Sequence, residues 1–479
     1  MKKLLQHIKQ FSFYDTIRHG SVYMFSFVAV QALMVFTLPV FTKLLTPSDF
    51  GVYEVFNNTV RVLGVIISLN LFNGFYRFYF EEHIDKKSLM QFLLRTSLFS
   101  FAIGCVVLFL FQKQLMAIIN LPINLFIWIL VAVFSNIIFS FFNTYNNAQQ
   151  FSTRAGIWQF VSQFLRVTCA IAFVWFWKRN YYGRIFGENF ILFALSIVII
   201  IVYFRKYISL SENIHNKNEI LKYSISFIPI GLSGFILGYL DTIMINSSQG
   251  SNDAGLYSYA YKIAVIYTGI TTAFTTANRP KLFTLLNQNK EEEVVLQFRS
   301  MFKLVVALST LFIFFAADGG KLLALNKAFH AGLHLLPVLV LSHIFSDIND
   351  LYSFYFHYEK KVKYFYYSFA VSAGVNFLLN LYFIPKYGYQ AAAYTTLFSY
   401  GFMLVCTYII CKKILKVRVP AVIRFLDYLC IIAIVFIVNY FATENIANWF
   451  LQITIKGCIY LLVLLYLWRN IIQRFLSKE

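Results

Sequence analysis

The residues in this chain with the greatest chemical potential are charges set where charge is costly. The stretch "GYLDTIMINSSQGSNDAGLYSYAYKIAVIYTGI", residues 238 to 270, puts Asp241 inside one apolar run and Lys262 inside the next. An ionisable side chain within a membrane span costs about 2.5–3.5 kcal/mol on insertion scales, so it pairs, reaches water or does work. If the two runs form an antiparallel helical hairpin, Asp241 and Lys262 sit at one depth, each roughly 10 Å from the turn at 1.5 Å per residue. They would then pair across the hairpin, as a structural tie or as part of a substrate or ion site. Arg61 shares a helical stripe with Asn57, Gly64 and Ser68, and Arg166 shares one with Gln159, Ser162 and Gln163. No acid nearby in sequence is an evident partner for either arginine, which points both at a watery cavity. A guanidinium there suits an anion, because its planar fork binds phosphate oxygens in pairs and keeps its proton.

Three more arginines, Arg18, Arg77 and Arg279, fall near the inner ends of apolar runs and would rim an inward mouth for an anionic headgroup. The general excess of basic residues on a cytoplasmic face explains them equally well. His343, Asp347 and Asp350 follow one another at i, i+4 and i+7, and His357 extends that face. Acids and imidazoles grouped at mid-membrane are what a proton or sodium site needs, and a polar helix–helix contact is the plainer alternative. His330 and His334 stand four apart, but no acid or cysteine completes a zinc set, so no metal site is expected. No P-loop, GxSxG or HExxH is present, and no carboxylate pair sits on a large loop. The expectation is a protein that is not an enzyme, with no cofactor beyond a coupling H+ or Na+.

The elements that must position these residues follow from composition. Of 479 residues, 59% are hydrophobic, 19% aromatic and only 13% charged, more apolar surface than soluble cores of this size can hide. Apolar runs lie at about 21–43, 52–75, 92–112, 122–143, 157–178, 183–204, 223–247, 255–279, 299–318, 331–357, 364–384, 389–411, 421–441 and 449–468. Each is near the length of a span, so the fold class is an all-α polytopic membrane protein of about 14 transmembrane helices. The basic residues behind the net charge of +20 gather in every second gap between the runs, and so on one side. They therefore read as a positive-inside bias with both termini cytoplasmic and not as a nucleic-acid surface. Six cysteines lie in or beside apolar runs without a CxxC pair, as small core residues do. Lys2, Lys3 and Lys9 beside Leu4, Leu5, Ile8 and Phe11 suggest an amphipathic segment over 1–20 with no signal peptide.

An internal repeat organises the runs. "TPSDFGVYEVF" (46–56) follows the first, and "SNDAGLYSYAY" (251–261) follows the seventh, aligning Asp49, Gly51 and Tyr53 with Asp253, Gly255 and Tyr257. Both copies start from the same side, so they are parallel repeats, for which a V-shaped pair of bundles around a central cavity is expected. The expected division is a first six-helix bundle at 21–204, a cytoplasmic linker at 205–222, a second bundle at 223–411, and helices 13 and 14 with a basic tail at 412–479. Pro229, Gly231, Gly234 and Gly238 in the seventh run offer a place to flex or pack closely.

With "LLTPSDFGVY", "LDTIMI", "AGLYSYAYKIA" and "NLYFIPKYGYQAAAYTT" (380–396) in this order, the whole chain resembles the multidrug/oligosaccharidyl-lipid/polysaccharide exporter superfamily. Within it the chain is most similar to the Wzx-type flippases of lipid-linked oligosaccharides. The resemblance implies an undecaprenyl-pyrophosphate-linked oligosaccharide as cargo. It would be moved by alternating access from the cytoplasmic to the outer leaflet of a bacterial inner membrane, for O-antigen, capsule or exopolysaccharide synthesis. Membrane lipids and polysaccharide polymerase machinery would be its partners. An ion-coupled drug or cation antiporter of the same superfamily, and an integral-membrane glycosyltransferase or polymerase, are the alternatives. The first would want acids in the cavity where arginines stand, and the second a catalytic acid or a large outer loop.

Overall fold

A computed structural model describes residues 29–30, 32–149, 151–207, 216–416 and 425–476. Helices account for nearly all of them. In chain order these are α1 (Ala32–Leu44), α2 (Pro47–Ile67), α3 (Leu71–Phe78), α4 (Lys86–Leu110), α5 (Gln112–Ile118), α6 (Phe126–Ala148), α7 (Ser152–Phe176), α8 (Tyr181–Ile199), α9 (Lys217–Ile225) and α10 (Ile228–Gln249). They continue with α11 (Ser251–Asn287), α12 (Glu291–Leu323), α13 (Leu336–Tyr358), α14 (Val362–Tyr387), α15 (Tyr389–Ile409), α16 (Leu426–Asn445) and α17 (Trp449–Leu476). No strand occurs among the described residues. The amphipathic segment expected at 1–20 lies outside them, as does Arg18.

Twelve helical stretches of the described residues are long and apolar enough to cross a membrane. The first expected span enters only as the shorter apolar helix α1, and the eighth corresponds to α11, which is helical throughout but more polar than those twelve. Large apolar side chains stand exposed along several helices, among them Phe99, Ile103 and Val106 on α4 and Ile434, Ile437 and Phe441 on α16. Surface of that kind on an all-helical chain belongs against lipid tails, where every backbone group must be satisfied within its own helix. The protein is a multi-pass membrane protein.

The sequence expectations need four local corrections. The second run is two helices, α2 and α3, parted by Leu69 and Asn70 with left-handed backbone at φ 51°. The seventh run is also two, α9 and α10, so Pro229 stands in the first turn of a helix, where its missing N–H costs nothing, and does not bend a continuous one. The run expected at 364–384 continues as helix past Pro385 to Tyr387 before Gly388 turns the chain at φ 72°. A proline so near the end forfeits little of the ladder. Finally, the polar gap over 282–299 is almost all helix: α11 spans 37 residues, about 55 Å at 1.5 Å per residue, against a hydrocarbon core of about 30 Å.

The repeat is written into irregular elements as well as motifs. A 3-10 segment (Ile123–Leu125) precedes α6, and another (Lys327–Leu335) precedes α13, its counterpart. A π turn (Ile200–Phe204) closes α8, and another (Ile410–Ile414) closes α15. By internal packing the chain forms two units. One runs to Phe235 and takes in Gly250–Gly255 and Ala324–Asn326; the other comprises Ile236–Gln249, Leu256–Leu323 and the chain from Lys327 onward.

Within the first unit the repeat-aligned glycines meet. A Cβ on Gly51 would overlap the carbonyl oxygen of Ser251, and one on Gly255 would overlap that of Pro47. Only hydrogen at both places lets the starts of α2 and α11 touch backbone to backbone. Thr46 caps α2 in a reciprocal box with Asp49, with Pro47 pre-set at the first helical position. The other carboxylate oxygen of Asp49 accepts from Tyr181 N at 3.1 Å, pinning the start of α8 to the start of α2.

Candidate functional site

In the first unit the charges converge through α2, α7 and α8. Asn180 caps α8 by accepting from the N–H groups of Tyr182 and Gly183, which fixes the turn that carries Arg184 and Glu188. Gly187 then lets α8 ride on α7 so closely that a Cβ there would stand 2.8 Å from Cα of Ala170 and from the carbonyl of Cys169. That approach brings Glu188 against Arg166. Its carboxylate accepts from Tyr53 Oη at 2.8 Å on both oxygens, from Arg184 Nε at 3.3 Å and from Arg166 Nη2 at 3.5 Å. The guanidinium of Arg184 is buried between the rings of Phe41 and Tyr53, 3.8 and 3.5 Å from their centroids. Buried Glu54 adds a second negative charge beside Arg184.

The expectation that Arg166 lacks an acidic partner is thus corrected: Glu188 is that partner, 22 residues on and one helix away. The contact is loose. Arg166 also reaches Gln163 Oε1 at 3.5 Å, its Nε makes no hydrogen bond, and its side chain keeps 24% exposure. Arg61 stands exposed on α2, and a Cβ built on Gly64, one turn on, meets nothing within 4 Å, so this side of the helix borders open space. Asn57 is half-buried and Ser68 buried, the latter accepting from Asn70 N at 3.2 Å. Arg77 is a surface residue paired with Glu81 at 2.9 Å.

The second unit holds the carboxylates. Asp241 is buried, and its oxygens accept from Tyr257 Oη at 2.7 Å, Thr396 Oγ1 at 2.8 Å and Asn380 Nδ2 at 2.6 Å. Asn380 is itself held by Asn376 at 3.1 Å and by Thr395. The anchor of Asp241 is therefore a ring of neutral donors from α11, α14 and α15, which corrects the expectation of a hairpin charge pair. Lys262 is half-buried farther along α11, and it is Tyr257 that meets the carboxylate.

The face of α13 predicted from spacing is real. His343 and Asp347 are buried and Asp350 half-buried, while His357 at the end of the stripe is exposed. Thr271 donates to Asp347 Oδ1 at 3.0 Å and the hydroxyl of Tyr267 stands beside the same carboxylate, while His343 Nε2 makes no hydrogen bond among the described residues. The ring of His343 lies 5.5 Å from Tyr261 and 6.2 Å from Tyr400. Arg279 sits with its guanidinium 5.2 Å from the ring of Phe354 and is the positive charge acting on Asp350. Among the described residues no three His, Cys, Asp or Glu side chains are grouped to hold a metal ion.

Sequence reasoning passed over Tyr53, Glu54, Arg184, Glu188 and Lys456. The i, i+4 spacing of Arg184 and Glu188 and the repeat alignment of Tyr53 with Tyr257 were the available signals. Lys456 carried none: it is buried on α17 and reaches the carbonyl of Phe314 at 3.4 Å.

The chain is thus an all-helical membrane protein with two internally related halves and buried charges in each. The chain belongs to the polysaccharide biosynthesis protein family, whose pattern it matches over residues 17–285. Its fold is that of the MOP superfamily. The lipid II flippase MurJ, in an inward closed conformation, superposes with a TM-score of 0.66 at 15% identity, over 95% of this chain and 100% of that one. An inward-facing multidrug resistance MATE family transporter gives 0.59 at 12% identity, over 88% and 98%. A mutant of the Vibrio cholerae MATE transporter VcmN gives 0.53 at 15%, over 84% and 97%. No curated protein sequence matches the chain.

Proposed function

We propose that this protein is a flippase that carries a polyprenyl-pyrophosphate-linked oligosaccharide from the cytoplasmic to the outer leaflet for surface polysaccharide synthesis. The membrane would be the bacterial inner membrane, with both termini cytoplasmic, and a polysaccharide polymerase would act on the product. The observation that carries the reading is Arg61, a guanidinium in the C-terminal half of the membrane-spanning helix α2, exposed beside open space. Against lipid tails such a group is too costly to keep, so it faces water, and water lined by arginine suits a pyrophosphate. Sugar hydroxyls and phosphates cannot cross hydrocarbon cheaply, whereas the polyprenyl tail can remain in it. Arg166, in the same unit, would share the headgroup. The lipid II flippase MurJ supports the cargo class, because lipid II is a lipid-linked cargo.

Coupling is proposed at the carboxylates of the second unit. A proton or Na+ would neutralise Asp241 within its ring of donors, and Asp347 beside His343 and Asp350 would be a second station. Deleting the protein from its native cell tests the assignment. The expected result is a pyrophosphate-linked saccharide lipid that accumulates, remains shielded from an external lectin, and becomes accessible when the wild-type chain is restored. Normal lectin access without the protein would contradict the reading.

A further inference from the structure

Arg166 and Arg184 both touch Glu188, but they are held very differently. Arg184 is buried, stacked between two rings and bonded through Nε. Among the described residues Arg166 makes two hydrogen bonds, both at 3.5 Å, to Glu188 and Gln163, and its Nε makes none. A hydrogen bond of that length lies beyond the ordinary range for N–H donors, so little holds Arg166 in place. Glu188, by contrast, keeps Tyr53 on both oxygens and Arg184 on one even when Arg166 is subtracted. Withdrawal of Arg166 therefore leaves no stranded carboxylate, the usual penalty for breaking a buried pair. α6, which packs on α2 and α8, brings no Asp, Glu, Lys, Arg or His to this cluster.

We infer that Glu188 is a positioning residue that parks the Arg166 guanidinium at rest and surrenders it to the anionic headgroup. Tyr53 and Arg184 hold Glu188 in place during the exchange. The inference rests on the proposed flippase reading and adds a two-position arginine to it. A phosphate oxygen pair offers Arg166 the short bidentate contact that Glu188 does not. Reclaiming of Arg166 by Glu188 then speeds release. A purely structural Glu188 would instead make every substitution around it lower stability and transport together.

The two alternatives separate in the full-length protein reconstituted in nanodiscs. Phenylglyoxal modification of Arg166 is followed by peptide mass spectrometry in wild type, Glu188→Gln and Tyr53→Phe, without and with undecaprenyl pyrophosphate. Without lipid, Glu188→Gln is expected to react several-fold faster than wild type, because the parking charge is gone. Tyr53→Phe is expected to react more slowly, because Glu188 loses a competing donor and grips Arg166 harder. In transport, Glu188→Gln lowers KM and kcat together, and Glu188→Asp restores part of kcat. Equal modification rates in all three proteins overturn the inference, as does a parallel loss of stability and transport with KM unchanged. If the rates differ as expected but the pyrophosphate lipid protects Arg166 in none of them, the cargo assignment falls and the exchange step falls with it.

Discussion

Tyr53 and Tyr257 occupy equivalent places in the two halves of the chain, and each gives its hydroxyl to a buried carboxylate, Glu188 at 2.8 Å and Asp241 at 2.7 Å. The carboxylates are not equivalent: Glu188 comes from α8, late in the first half, and Asp241 from α10, at the start of the second. The surroundings differ too. Glu188 has two guanidinium groups within 3.5 Å, whereas the hydrogen bonds to Asp241 come from neutral donors. The same tyrosine position thus serves a carboxylate flanked by cations in one half and a carboxylate held by neutral groups in the other.

Replacing Asp241 tests the acidic half. Asp241→Leu leaves the Tyr257 and Thr396 hydroxyls without this acceptor, at about 1–3 kcal/mol for each buried group stranded, while Asn380 keeps Asn376. Its melting temperature in detergent is expected to fall clearly. Asp241→Asn keeps an acceptor oxygen and is expected to stay folded while its transport depends less on Na+ or pH than that of the wild type. An Asp241→Asn protein with the wild-type ion dependence would remove Asp241 from coupling.

Glycine substitutions test the crossing of α2 and α11. Gly51→Ala and Gly255→Ala place a methyl group on a backbone oxygen, so both are expected to lower the melting temperature and the transport rate. Gly64→Ala, at open space on the same helix, is expected to be neutral or to stabilise by about 0.5–1 kcal/mol from helix propensity. Equal effects at Gly51 and Gly64 would contradict the packing described.

Within the second unit α16 is tied to α12 by a contact that a double-mutant cycle can weigh. Arg299 on α12 meets Asp427 on α16 at 2.8 Å and lies 5.4 Å from the ring of Tyr428. Both partners are partly exposed, so the coupling between Arg299→Ala and Asp427→Ala is expected at about 0.2–1 kcal/mol, the range of surface pairs. A coupling indistinguishable from zero would assign the attachment of α16 to apolar packing alone.

Asp85 gives a pH-dependent contribution outside the spans. Bonding from Ser88, whose N–H donates at 2.8 Å to cap α4, holds its carboxyl below the usual range. A carboxyl depressed on folding stabilises above its unfolded pKa of about 3.9, and that stability is lost as pH falls through the folded value. Asp85→Ala is therefore expected to cost about 1 kcal/mol near neutrality and nothing once the wild-type carboxyl is protonated. Thermal unfolding of both proteins between neutral and acidic pH measures the difference, and a cost independent of pH would contradict the capping role.

Spacing read the helices well because apolar periodicity is a local property, and the face shared by His343, Asp347 and Asp350 followed from one helix alone. The breaks were less legible. Leu69 and Asn70 carry no glycine or proline to mark the left-handed turn between α2 and α3. The partners of the charges were least legible, because they depend on which helix lies alongside. Glu188 is remote from Arg166 in sequence and meets it only because Gly187 lets α8 settle onto α7. Asn380 and Thr396 reach Asp241 from more than a hundred residues away.

The most direct test of the central claim is leaflet transfer in sealed proteoliposomes containing only this protein and a fluorescent saccharide linked to polyprenyl pyrophosphate, read by quenching at the outer face. The wild-type protein is expected to move the lipid far faster than protein-free vesicles. Arg61→Ala and Arg166→Ala should each slow it at least tenfold, and Arg61→Lys and Arg166→Lys less. Transfer no faster than in empty vesicles, or full-speed transfer by the Arg61→Ala, Arg166→Ala double variant, would contradict the account.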